Sequence, residues 1–319
     1  MKIVAGDIGG THARFAIAEL SEGQRPKLGA MGRYRTSEHR GLASAWRAFA
    51  RDQSGKLPEA AALGLAGPVD GGPIRFMNSP WVVDPRTVAK ELGLERVTLL
   101  NDYGAVAHAV SILGADELRP ISGPDGDLPG DGITTVLGPG TGLGVAMLVR
   151  RGGRAEVIET EASHIGFAPL NEDEQALADA LAERFGRASV ERIVSGPGLI
   201  ELYRHFGGGD WDVGDSGGLW SAAIDGEDPV AAQALDAFVK CFGSAAGDIA
   251  LAHGANALAI TGGLANRIAD RLSSPLFKGR FIAKGRYRER MEKVRVRLAT
   301  VEEPGLLGAA VAFQREWFN

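Results

Sequence analysis

The same short series of elements opens this chain twice. Lys2 to Ala5 is an apolar strand pattern, Gly9-Gly10-Thr11-His12 a glycine turn, and Phe15 to Ala18 a second strand, with a third near Leu28 to Tyr34. About 130 residues later the order recurs. Ile133 to Leu137 runs into Gly138-Pro139-Gly140-Thr141-Gly142, then come Leu143 to Val149 and a strand near Ala155 to Ile158. Glycines between two alternating runs mark a hairpin, where the backbone must turn sharply. Repetition of a whole order of elements predicts a duplicated α/β architecture, although the halves share few identical residues.

Between the copies, each half continues with buried strands and helices. Ala60 to Ala66 reads as a strand stopped by Gly67-Pro68, and Asp84-Pro85 predicts a helix start, with an acid as cap and proline as first residue. In the second half, Asn171 with Glu174 three residues on forms a capping pattern. Asp228-Pro229 opens a long helix, Ala257 to Ile260 is a buried strand running into Thr261-Gly262-Gly263, and a strand near Val294 to Leu298 precedes a helix from about Leu306 to Arg315. Periodicity is lost from Leu118 to Asp131, a stretch rich in Pro, Gly and Asp that reads as a linker or hinge.

The Val97 to Leu100 strand pattern ends in Asn101-Asp102 and turns directly into the helical pattern Tyr103 to Ala107. In an open α/β sheet the carboxyl ends of interior strands are where ligands bind. A carboxylate at that point is placed to take a proton from an alcohol. Asp7 likewise ends an apolar strand just before the first glycine turn. Glycine turns let backbone N–H groups converge on an anion, so a pair of them in duplicated halves suggests a nucleotide. Asp7 beside such a turn makes sense with Mg²⁺ to offset the charge. Capping of its own turn is the plainer alternative.

Composition excludes several classes. The net charge of −5 gives no footprint for nucleic acid. The locally basic stretch from Lys278 to Arg297 is interleaved with Glu289 and Glu292 and reads as a solvated face. A single cysteine, Cys241, excludes an internal disulfide or a multi-cysteine zinc site, and its apolar surroundings predict a buried thiol. No apolar run reaches membrane-spanning length. The first strand starts within a few residues of Met1, which leaves no room for a secretory signal. A cytoplasmic protein with no membrane or nucleic-acid partner is expected.

Taken in order, Asp7-Ile8-Gly9-Gly10-Thr11-His12-Ala13-Arg14, Asn101-Asp102, Gly138-Pro139-Gly140-Thr141-Gly142-Leu143-Gly144, Ser195-Gly196-Pro197-Gly198-Leu199 and Pro304-Gly305-Leu306-Leu307-Gly308 resemble the bacterial glucokinases. These are relatives of the hexokinase, actin and heat-shock ATPase superfamily. The resemblance implies two ribonuclease-H-like α/β domains of duplicated architecture with the active site in the cleft between them. The smaller would comprise residues 1–112 plus 302–319, and the larger 113–301. It also implies transfer of phosphate from ATP, with Mg²⁺, to glucose.

By the same resemblance, Asp102 is the general base at the sugar's primary hydroxyl. Asn78, Ser79, Asn101, Glu161, His164 and Glu191 bind the sugar. Asp7, Gly9, Gly10, Thr11, Gly138, Gly140, Thr141 and Gly142 line the phosphates, with Asp7 reaching Mg²⁺ through a water. Gly262 and Gly263 face the adenosine. Homodimers are common in the family. The family tends to have glycines where Ala162-Ser163 stand here, so Ser163 is expected to narrow the sugar site or add a hydroxyl contact.

Polyols need several acceptors at fixed positions, which carboxylates and amides supply. A metal site at Glu161 and His164 is the alternative, but Glu-x-x-His builds one only when it occurs twice on helices. Two other functions compete. One is a kinase for fructose, mannose or N-acetylmannosamine; the repressor-related sugar kinases usually carry a zinc-binding cysteine cluster, which one cysteine cannot form. The other is a non-catalytic sugar sensor, which would call for an N-terminal helix-turn-helix in place of the first strand.

Overall fold

The computed structural model describes residues 1–76, 79–211 and 216–318. The chain divides into two compact units, Met1–Leu113 with Val301–Asn319, and Gly114–Thr300.

The first unit is built on β1 (Lys2–Ile8), β2 (His12–Glu19), β3 (Lys27–Arg35), β4 (Ala60–Leu65), a two-stranded ribbon of β5 (Ile74–Arg75) and β6 (Val82–Val83), and β7 (Arg96–Asn101). Its main sheet has the order β3-β2-β1-β4-β7. The hairpin strands are antiparallel, whereas β4 and β7 run parallel to β1. The carboxyl ends of β1, β4 and β7 therefore share one edge of the sheet. Alternation divides the side chains. On one face Val4, Ile8, Phe15 and Leu63 join Trp46 and Phe49 of the helix Leu42–Asp52. On the other Ile3, Ala5, Ala16 and Ala62 pack against Leu306, Ala310 and Phe313 of the helix Pro304–Trp317.

That last helix belongs to the first unit because glycine lets it come close. A Cβ on Gly308 would stand 1.6 Å from the Ala105 carbonyl oxygen, in the helix Asp102–Val110. Its end is tied to β7, where Thr98 donates to Glu316 at 2.5 Å and the Trp317 indole donates to Thr98 at 3.2 Å.

In the second unit β8 (Leu118–Ser122), β9 (Gly132–Pro139), β10 (Leu143–Arg151), β11 (Arg154–Thr160), β12 (Ala257–Ile260) and β13 (Arg295–Ala299) form a sheet of order β11-β10-β9-β12-β13-β8. Remove β8 and the pattern matches the first sheet: an antiparallel β9-β10-β11 meander, then β12 and β13 parallel to β9. The duplication expected from the sequence is thus one of topology. Helices Gly196–His205, Pro229–Ala252 and Pro275–Ile282 carry the large core around Phe238, Phe242 and Phe277.

Three local expectations are corrected. The strand carrying Asn101 at its end is β7, at the edge of the sheet and not in its interior; its apolar run reflects cover from the C-terminal helix. The Leu118 to Asp131 stretch is not a free linker. Leu118–Ser122 pairs with β13, and buried Arg297 donates to the carbonyls of Ser122, Pro124 and Gly126, so the lack of periodicity conceals a segment fixed through its backbone. Asp84 does not cap a helix: it holds the Arg86 guanidinium and backbone N–H, and the helix spans Val88–Leu92.

Candidate active site

In the first unit the predicted residues gather at the carboxyl ends of the parallel strands. β7 stops at Asn101, whose side-chain oxygen accepts the N–H groups of Tyr103 (2.8 Å) and Gly104 (3.2 Å). Such a cap stabilises a helix by about 1 kcal/mol. The Asn101 amide donates to the Gly67 carbonyl at 3.2 Å, just beyond β4. Both ends of this side chain therefore serve the fold, a role the sequence did not reveal.

Asp102 is the first residue of the helix and is half-buried. Its Oδ1 accepts the Tyr103 N–H at 2.8 Å. The partial positive charge of a helix N-terminus favours an ionised carboxylate there.

The first glycine turn lies at the same sheet edge. Gly9 donates to the His12 carbonyl at 2.9 Å, and Thr36 fixes the loop from outside through its hydroxyl to Gly10 (2.7 Å) and its N–H to Thr11 (3.0 Å). Asp7 is opposite Arg14 across the hairpin, and Arg14 donates to it at 2.9 Å. Burial pushes the Asp7 carboxyl above the usual carboxylate value, against the lowering pull of Arg14. Arg14 also meets Glu303 at 3.4 Å, where the C-terminal helix begins. This Asp7–Arg14–Glu303 arrangement was not found in the sequence. Pairing across strands could have suggested Arg14, but nothing local links Glu303 to Asp7.

Ser79 accepts the Trp81 N–H at 3.3 Å in the loop joining β5 to β6. Asn78 lies outside the described residues.

The second unit assembles its own group. β9 and β10 are joined by Gly140-Thr141-Gly142, with Gly140 donating to Gly142 at 2.7 Å. The Gly140 carbonyl accepts the Gly196 N–H at 2.7 Å, which seats the turn on the start of the helix Gly196–His205. Gly138 is buried near the end of β9, opposite Gly144 of β10. Glu191 Oε2 accepts the Leu143 N–H at 2.9 Å, and a Cβ on Gly142 would approach that oxygen to 2.4 Å. Beside the turn, Thr261 continues β12 by donating to the Leu137 carbonyl at 2.9 Å, and Gly262 (φ +96°) adopts a backbone that favours glycine.

Glu161 precedes and His164 ends a single 3₁₀ turn (Ala162–His164) after β11, whose last residue Thr160 is opposite Val145 of β10. Their side chains are exposed, with His164 Nε2 3.6 Å from Glu161 Oε2. Backbone bonds from Phe167 to Ala188 and from Val190 to Ile165 bring this segment beside Glu191. Ser163, inside the same turn, is buried.

Each unit therefore presents a glycine turn with carboxylates at the same end of its sheet. The first has one carboxylate at a helix start. The second has two carboxylates and an imidazole near its turn. Such sets suit binding of phosphates and of a polyol.

The glucokinase family model matches residues 4–316. The glucokinase of Zymomonas mobilis is 48% identical over 320 residues, covering 99% of both chains. That of Stenotrophomonas maltophilia is 36% identical over 97% of this chain and 93% of its own. Among solved structures, glucokinase from an Antarctic psychrotroph matches with a TM-score of 0.81 at 29% identity, covering 98% of this chain and 99% of that one. A ROK family glucokinase from Streptomyces griseus, in complex with glucose and AMPPNP, shares the fold at a TM-score of 0.68 and 20% identity, over 99% and 100% of the two chains. By its sequence along nearly its whole length, this chain belongs to the glucokinase family.

Proposed function

We propose that this chain transfers the γ-phosphoryl group of ATP to the primary hydroxyl of glucose, with Asp102 as general base. The observation that carries the reading is the position of Asp102. It is a half-buried carboxylate at the start of a helix, on the same sheet edge as the Gly9-Gly10-Thr11 turn. Asp102 takes the hydroxyl proton as the sugar oxygen bonds to the γ-phosphorus. The bond from that phosphorus to the bridging oxygen breaks, and ADP leaves. Placement and charge neutralisation supply most of the catalysis in phosphoryl transfer, and a positioned base adds about 10²–10⁴-fold.

The units divide the remaining tasks. In the first, Asn101 and Ser79 contact sugar hydroxyls and the Gly9–Thr11 turn receives phosphate. In the second, Gly138 to Gly142 receive phosphate, Gly262 and Gly263 face the adenosine, and Glu161, His164 and Glu191 hold sugar hydroxyls. Glu191 can do so with its second oxygen while the first keeps the turn in place. A single carboxylate beside a phosphate turn fits a cation carried mainly by the nucleotide, so Asp7 would hold Mg²⁺ through a water. When bound, Mg²⁺ neutralises charge on the phosphates.

A cytoplasmic enzyme that handles glucose and ATP, without nucleic acid or membrane, is part of the same reading; no described helix is long and apolar enough to cross a membrane. Size-exclusion chromatography tests for a homodimer. Coupled ADP-release assays over glucose, fructose, mannose and N-acetylmannosamine test the substrate. Glucose is expected to give the highest kcat/KM; an absence of ADP release with every one of these sugars would turn the reading towards a sensor.

A further inference from the structure

The face of the first sheet under the C-terminal helix changes character along β2. Ala18 and Ala16 pack beneath that helix, and the next residues on the same face are Arg14 and His12. Cross-strand register places Arg33 directly opposite Arg14 and Arg35 directly opposite His12. Two rows of basic side chains therefore stand about 7 Å apart along the strands. Like charges directly opposed across strands are destabilising. Arg14 is balanced by Asp7 and Glu303. Neither Arg33 nor Arg35 has a carboxylate within ion-pairing distance among the described residues, and both are exposed.

The groups are close enough to sense one another. The His12 imidazole is held below its ordinary value by burial first, then by Arg33, Arg14 and Arg35, with Glu38 opposing. The rows begin at the Gly9-Gly10-Thr11 turn, since His12 follows Thr11 directly. Of these four basic groups Arg33 and Arg35 have no carboxylate partner among the described residues, and a strip of such groups leading away from a phosphate-type turn suits a ligand with several closely spaced negative charges.

We propose that His12, Arg14, Arg33 and Arg35 form a docking strip for a chain of phosphates that extends from the first glycine turn over the β2–β3 hairpin. The ligand chemistry is a linear phosphate chain, whether the tail of a nucleoside triphosphate or an inorganic polyphosphate. The strip goes beyond the turn assigned above, and it rests on that reading only for the direction from which the chain enters.

Inorganic tripolyphosphate is the probe, titrated by calorimetry into the full-length protein without sugar. Binding that weakens by about tenfold for each of Arg33→Ala and Arg35→Ala, and falls with added salt, is expected. Equal affinity in the wild type and the double variant would overturn the proposal, as would no binding to the wild type. Thermal unfolding supplies a second readout. Removing Arg33 relieves repulsion, so Arg33→Ala is expected to keep or raise the ligand-free Tm while losing the rise produced by tripolyphosphate. A fall in the ligand-free Tm with the tripolyphosphate rise intact would contradict it.

The two sources separate in steady-state kinetics. A KM for ATP raised in the double variant assigns the strip to the nucleotide's tail, whereas an unchanged KM with lost tripolyphosphate binding assigns it to an inorganic chain. Because binding is read without turnover, failure of Asp102 as the base would leave this result standing, and the reverse also holds.

Discussion

Glu191 accepts the backbone N–H of Leu143 through Oε2 at 2.9 Å, so one of the proposed sugar ligands also clamps the second glycine turn. Sugar and nucleotide binding should be coupled through this carboxylate. Glu191→Ala is expected to raise the KM for both glucose and ATP. Glu191→Gln, which keeps an acceptor for Leu143, should raise mainly the KM for glucose. Initial-rate kinetics with each substrate varied separate the two.

The contact at Gly308 sets a stability prediction. A methyl group there would meet the Ala105 carbonyl at 1.6 Å, with backbone on both sides and no flexible side chain to yield. Gly308→Ala is expected to destabilise the protein by about 3 kcal/mol, the upper range for overpacking. Denaturant unfolding should show a lower midpoint, and an unchanged midpoint would mean that the helices separate freely.

His108 provides a pH signature. It accepts or shares a hydrogen with Arg315 through Nδ1 at 3.2 Å, and burial, with Arg315 adding to it, pushes its value down to about 4. The unfolded chain takes up this proton near the ordinary value of about 6.5. Between those values the unfolded state binds more protons, so the stability contribution is fully present above about pH 6.5 and is lost as pH falls towards 4. The loss is at most about 3 kcal/mol. His108→Asn should flatten stability over that range in urea titrations from pH 7 to 4.

Cys241 is buried, and its thiol is pushed up to about 12, chiefly by burial. Thiolate is the reactive form, so a disulfide reagent at pH 8 should label the native protein only at the rate of unfolding, and the denatured chain at once. Fast native labelling would show that the helix Pro229–Ala252 opens around it.

Features written in neighbouring residues were legible in the sequence. The Asn101–Asp102 boundary between strand and helix is where β7 ends. The Asn171–Glu174 pattern closes both ways, with Glu174 also accepting the Leu170 N–H at 2.7 Å. Features that depend on distant partners were not legible. Arg297 gives order to Ser122–Gly126 from 171 residues away, and the place of β7 at the sheet edge depends on which strand pairs with β4. Asp84-Pro85 misled because Arg86 takes the carboxylate that a helix start would have used.

The site followed the same division. Glycine turns and strand-end acids announce themselves locally. The double duty of Glu191, the use of Asn101 by the fold, and the Arg14–Glu303 contact emerge only when strands and helices are assembled.

The central claim is that Asp102 removes the proton from the attacking hydroxyl. Asp102→Asn keeps the shape and the hydrogen-bond acceptor for Tyr103 while removing the base. Its kcat with glucose and ATP, measured beside calorimetric titrations of both ligands, tests this most directly. The account predicts kcat lower by about 10²–10⁴-fold, with glucose and ATP affinities within a few-fold of the wild type. Turnover near the wild-type rate in a variant that binds both substrates would contradict it.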